Sequence, residues 1–213
     1  MTFEIQAESS YAKKAGTVAK ALGLDFRVYS YSAILADINE GVDFIQRCAE
    51  VCGTEFREQL RFALAADGNF PAPENMGNPV IGVTSYDNRI DFRKLGDFLI
   101  KTQRYPDFRA NRLSPQKADP SFLNVEKGHV GVVPELSYYG LIINNGRYIG
   151  GQVAVPYVFD NSLRDLKRVC FPTGKGKADD LVVVSSAANL GVSLDEFLRR
   201  FGVSEFHFAD IKK

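Results

Sequence analysis

Histidine and cysteine are scarce in this 213-residue chain, which removes most of the usual means of proton transfer, thiol chemistry and metal binding. The two histidines, His129 and His207, have no nucleophile at a recognisable spacing, so neither is nominated as a catalytic base. The three cysteines, Cys48, Cys52 and Cys170, are odd in number, and the chain is large enough to do without disulfide staples; reduced thiols are expected. Cys48 and Cys52 share a helical face at i,i+4, but with no CxxC pair they read as small buried side chains, and no metal or cofactor is expected. No run of 18 apolar residues occurs, and Met1 leads into TFEIQAESS rather than a basic then apolar leader. The expectation is a soluble, cytoplasmic protein without a membrane partner. Internal repeats and low-complexity tracts are absent as well.

What is present is the composition of a globular protein, 45% hydrophobic and 24% charged, enough for one large domain or two small ones. Net charge is zero but unevenly spread. Residues 1–88 hold 7 basic against 12 acidic side chains, residues 89–177 hold 15 against 8, and residues 178–213 hold 4 against 6. A basic middle between acidic ends suits a polyanion or an acidic partner surface.

Periodicity supplies the elements. Phe3 and Ile5 suggest a strand, Tyr11, Ala15, Val18 and Leu22 a helix, and Phe26–Tyr31 a second strand, a candidate β-α-β unit. Residues 32–67 read as helical in three pieces broken near Gly41 and Gly53, with Phe56, Leu60 and Leu64 on one stripe. The proline-rich 69–79 segment is a connector, Val80–Tyr86 a strand, and Asp91–Arg104 a helix with Phe92, Leu95, Phe98 and Leu99 inward. Residues 106–128 form a long irregular stretch, and His129–Val133 a short strand. Beyond it, Ser162–Val169 reads as a helix, Thr173–Lys177 as a loop and Leu181–Val184 as a strand. Ser193–Phe201 reads as a helix capped by Ser193 and Glu196 and stopped by Gly202, and Glu205–Ile211 as an edge strand.

The strongest local signal is Tyr138–Phe159, where two apolar runs flank Asn145-Gly146, the pair that supplies the positive φ values of a type I′ hairpin turn. The fold expected is therefore α+β: a helix-rich N-terminal part, residues 1–70, packed with a mostly antiparallel sheet, residues 80–213, built on the 138–159 hairpin. One compact unit is favoured over two domains.

The segment Arg89–Lys117 carries eight basic residues against three acidic ones, with aromatics interleaved. Cations along a surface suit phosphates, and exposed rings suit unpaired bases. The nucleic-acid-binding candidates are Arg93, Lys101, Arg104, Arg109 and Arg112 for phosphate and Tyr105 and Phe108 for stacking. A second candidate is anion binding by Gly174, Lys175, Gly176 and Lys177, whose glycines let backbone N–H groups approach a phosphate. It is not a Walker A loop, because Ala178 follows Lys177.

Two resemblances are partial. Ala187–Gly202, with Gly191 as turn glycine and Phe197 on the second helix, resembles a helix-turn-helix, although Arg200 stands where that motif wants an apolar residue. Gly140-Leu141-Ile142 and Tyr148-Ile149-Gly150 resemble the two strands of the GIY-YIG nucleases, but Ile142 replaces the family's tyrosine and Arg164 lies too far along the chain. A plain structural hairpin is the preferred reading. The leading expectation is a non-enzymatic nucleic-acid-binding protein. The alternatives are a protein-interaction module or inhibitor that binds an acidic partner protein, and a small enzyme acting on a phosphorylated ligand.

Overall fold

The computed structural model describes residues 25–29, 44–66, 80–102, 156–174, 184–200 and 205–213. Its elements are β1 (Asp25–Tyr29), α1 (Phe44–Cys52), β2 (Leu60–Ala65), β3 (Val80–Ser85), α2 (Phe92–Lys101), β4 (Tyr157–Asp160), β5 (Arg168–Gly174), β6 (Val184–Asn189), α3 (Leu194–Arg200) and β7 (Phe206–Ala209). Single 3₁₀ turns lie at Phe56–Glu58 and Asn161–Leu163.

The strands form two sheets. One is mixed, in the order β2-β3-β4-β7, with β2-β3 antiparallel and both β3-β4 and β4-β7 parallel. The other is antiparallel, in the order β1-β6-β5. An isolated parallel bridge between Gln59 and Cys170 joins them.

Every residue of β3 and of β4 is buried. Continuous burial rather than alternation is what a central, parallel-paired strand produces, because both of its faces are covered. One face of the mixed sheet is covered by α2, whose Leu95 and Leu99 are fully buried with Val80, Val158, Ile90 and Ile211. Gly82 permits that approach: a Cβ there would stand 3.0 Å from Ile90 Cδ1 and 3.3 Å from Leu95 Cδ2. Any side chain on this residue would push against the helix.

This architecture corrects the expected one. The N-terminal part is not helix-rich: among the described residues up to 66, β1 and β2 outweigh the single nine-residue helix α1. Phe56, Leu60 and Leu64 do not share a helix. A 3₁₀ turn ends at Glu58 and a strand follows, since Leu60 and Leu64 fit a helical stripe and, with Phe62 between them, a period of two, and pairing with β3 selects the strand.

Nor is the main sheet antiparallel or built on the hairpin. Residues 138–155 lie outside the described residues, but Tyr157–Phe159 of the second run are held in parallel on both sides, by β3 and by β7. A tight turn fixes register only near its tip, and the apolar run YVF satisfied a buried parallel strand equally well.

Further along, Ser162–Val169 is a 3₁₀ turn followed by β5. Leu163, Leu166 and Val169 are buried at a spacing of three, which imitates a helical stripe. Thr173 and Gly174 belong to β5 after a register shift rather than to a loop. The helix-turn-helix resemblance fails because Ala187 and Ala188 lie in β6. Its turn glycine is nonetheless a turn: Gly191 has φ +69° and donates its N–H to Asn189 Oδ1 at 3.1 Å. Helix α3 begins as expected, with Ser193 Oγ accepting from Glu196 N–H at 3.2 Å, but the Glu196 carboxylate bonds to Arg200 instead of turning back. The last strand is an edge strand of the mixed sheet, again as expected.

Candidate functional site

Helix α2 presents two free cations. Its start is fixed by Asp91, whose Oδ1 accepts from the N–H groups of Arg93 at 2.9 Å and Lys94 at 3.2 Å. With Leu95 and Leu99 turned onto the sheet, Arg93, Asp97 and Lys101 fall one turn apart on the outer side, and all three are exposed. Among the described residues neither Arg93 nor Lys101 has an ion-pair partner, and eight residues of helix separate them by about 12 Å. Lys94 is engaged instead, its Nζ 2.9 Å from Asp210 Oδ2 and 2.9 Å from the carbonyl of Lys212.

The segment Asp210–Lys213 is stitched to the start of this helix. Asp91 N–H donates to the Ile211 carbonyl at 2.7 Å, Ile90 bridges Lys212, and Lys213 N–H donates to the Arg89 carbonyl at 2.9 Å. Arg89 and Lys213, both exposed, thereby join Arg93 and Lys94 in one basic patch. Reading the sequence missed Lys212 and Lys213, because residues more than 100 positions apart meet through backbone pairing that no local pattern announces.

Of the acidic groups nearby, Asp97 is exposed between Arg93 and Lys101 and Asp210 pairs with Lys94, whereas Asp91 and Asp160 are committed elsewhere. Asp91 is a helix cap. Asp160 is buried, with Oδ1 accepting from the Ser162 N–H at 3.0 Å and hydroxyl at 2.5 Å, and Oδ2 accepting from the N–H groups of Ile211 at 3.1 Å and Lys212 at 3.2 Å. Burial pushes this carboxyl up, but the Ser162, Ile211 and Lys212 interactions together outweigh it and hold the group below its ordinary value. Asp160 is thus the clamp that fixes residues 211–212 beneath the patch.

A second polar cluster lies where the two sheets meet. Glu58, buried, accepts from Glu55 N–H at 2.8 Å and from Arg168 Nε at 3.1 Å and Nη2 at 3.0 Å. Its neighbour Gln59 bridges Cys170 and accepts from Tyr86 N–H at 2.7 Å. Thr54 Oγ1, also buried, has no hydrogen-bond partner among the described residues. Cys52 and Cys170 pack together, both buried and neither in a disulfide. Among the described residues no group of three His, Cys, Asp or Glu side chains is placed to hold a metal ion.

Of the residues nominated from sequence, Arg93 and Lys101 are brought onto one exposed helix face, and Gly174 ends β5. Arg104, Tyr105, Phe108, Arg109, Arg112, Lys175, Gly176 and Lys177 lie outside the described residues. No described helix is long and apolar enough to cross a membrane.

No protein-family profile matches the chain, and no curated protein does. Among solved structures, the chain is similar to one described as a candidate trans-editing enzyme for prolyl-tRNA synthetase, with 15% identity, a TM-score of 0.50, and coverage of 96% of this chain and 98% of that one. It is also similar to a chain from computational grafting of linear epitopes onto scaffold proteins, at 17% identity and a TM-score of 0.49, covering 96% and 99%. At such identities the first likeness is one of fold.

Proposed function

We propose that the protein binds RNA, with a tRNA as its target. The observation that carries the reading is the pair of exposed cations on α2, Arg93 and Lys101, extended by Arg89 and Lys213 through the pairing of residues 211–213 with residues 89–91. Several cations held along one surface match a phosphate backbone, and their binding is sequence-independent and salt-dependent. The fold likeness to a chain described as acting with prolyl-tRNA synthetase supports tRNA as the RNA concerned, by analogy of fold alone.

The test is a salt series of binding to tRNA, duplex DNA and single-stranded DNA. The reading expects tRNA affinity that falls steeply with salt, and a salt slope reduced by about one to two for Arg93→Ala plus Lys101→Ala. No detectable tRNA binding at low salt discards it, and co-purification with an acidic protein instead favours the partner-surface alternative.

A further inference from the structure

Three large apolar side chains are exposed in the described part of the protein: Phe56, Tyr86 and Ile100. Two of them are aromatic. Tyr86 N–H donates to the Gln59 carbonyl and Gln59 N–H donates to the Phe56 carbonyl, so both backbones meet Gln59 at the end of the β2-β3 ladder. Tyr86 is 37% exposed, with the Arg61 guanidinium 4.6 Å from its ring centroid. Single exposed aromatics are ordinary. An exposed ring with an arginine stacked on it is less so, and it suits an unpaired base, which adds its own π-face to a ring already backed by a cation.

Position reinforces composition. Tyr86 ends β3 and precedes Arg89 by three residues, so the two backbones lie at most about 11 Å apart. Arg89 is part of the basic patch, and Asp91 begins the helix that carries Arg93. A phosphate held at Arg89 therefore leaves Tyr86 within the span of a short single strand.

We infer that Tyr86, backed by Arg61, is a stacking platform for an unpaired base of a single-stranded RNA end. The inference rests on the RNA reading above and specifies its second contact: cations hold the backbone, and this platform selects ends that are single-stranded.

The experiment compares an RNA hairpin carrying a short single-stranded tail with the same hairpin ended blunt. Wild-type protein binds the tailed form more tightly, and Tyr86→Ala lowers affinity for it roughly five-fold or more while leaving the blunt form unchanged. Tyr86→Phe retains the preference, since the ring and not the hydroxyl does the stacking. The chain has no tryptophan, so Tyr86→Trp installs its only indole, and the tailed hairpin quenches that emission where the blunt one does not. Equal affinity for the two hairpins in the wild type, or an undiminished tail preference in Tyr86→Ala, overturns the platform while leaving the RNA reading standing. Failure of both hairpins to bind removes the RNA reading and the platform with it.

Discussion

Arg168 approaches a single carboxylate oxygen of Glu58 with two donors, Nε at 3.1 Å and Nη2 at 3.0 Å, and so ties the first residue of β5 to the turn that precedes β2. The pair spans the seam between the two sheets, one residue from the Gln59–Cys170 bridge on the Glu58 side. Glu58 is buried and its partner's side chain is 43% exposed, so the carboxylate depends on the arginine more than the arginine depends on it.

Arg168→Ala is therefore expected to destabilise the protein by about 1–3 kcal/mol, the range for a charge-assisted hydrogen bond lost from a buried acceptor. Glu58→Gln combined with Arg168→Met costs less than the two single changes together, since neither partner is then left charged and alone. Urea denaturation of the wild type, Arg168→Ala, the two single variants of the cycle and the double variant checks this. A change within 0.5 kcal/mol for Arg168→Ala, about what an ordinary surface substitution gives, shows that the seam does not rely on the pair.

Asp160 gives the stability a definite dependence on pH. Its folded-state carboxyl is held below the ordinary value, so its contribution is fully present above the unfolded value of about 3.9 and is lost as pH falls through the folded value. Asp160→Asn is expected to lower stability at neutral pH by about 2–3 kcal/mol and to flatten the decline on the acid side. Thermal melts between neutral pH and pH 3 measure both effects. If the variant and wild type lose stability in parallel on acidification, Asp160 is not the group responsible.

Gly82→Ala places a methyl 3.0 Å from Ile90 Cδ1 and is expected to cost about 1 kcal/mol, at the low end for overpacking because the clashing atom is the tip of a side chain. Ile90→Val removes that atom, and the double variant should be more stable than the sum of the two single costs implies. Strict additivity in a chemical melt sinks the proposed contact.

The sequence disclosed local events and concealed the pairings. Asp91 to Arg104 reads as a helix because Leu95 and Leu99 lie one turn apart, and Ser193 reads as a cap because a hydroxyl precedes a helical stripe; both signals are complete within a few residues. Leu60 and Leu64 carry both helical and strand spacing, and only β3 alongside resolves them. Tyr157–Phe159 next to a strong turn signal read as hairpin, whereas its partners Ile81 and Phe206 come from distant segments. For the site the division is the same: Arg93 and Lys101 are visible as the polar face of one helix, and Lys213 becomes part of the patch only through its bond to Arg89.

The pairing of β1 with β6 has a consequence for how the protein is made. Phe26 lies opposite Ala188, and the closest pair, Tyr29 with Ser185, is still 156 residues apart in the chain. At roughly 5–20 residues per second, the ribosome has released β1 some 8–30 s before its β6 partner exists. The three-stranded sheet thus cannot be assembled until β6 has been translated, and for that interval β1 lacks the neighbour it will finally have. Contacts this distant in sequence make closure slow once it begins, so yield during synthesis should respond to elongation rate and chaperones more than the strength of any single contact would suggest.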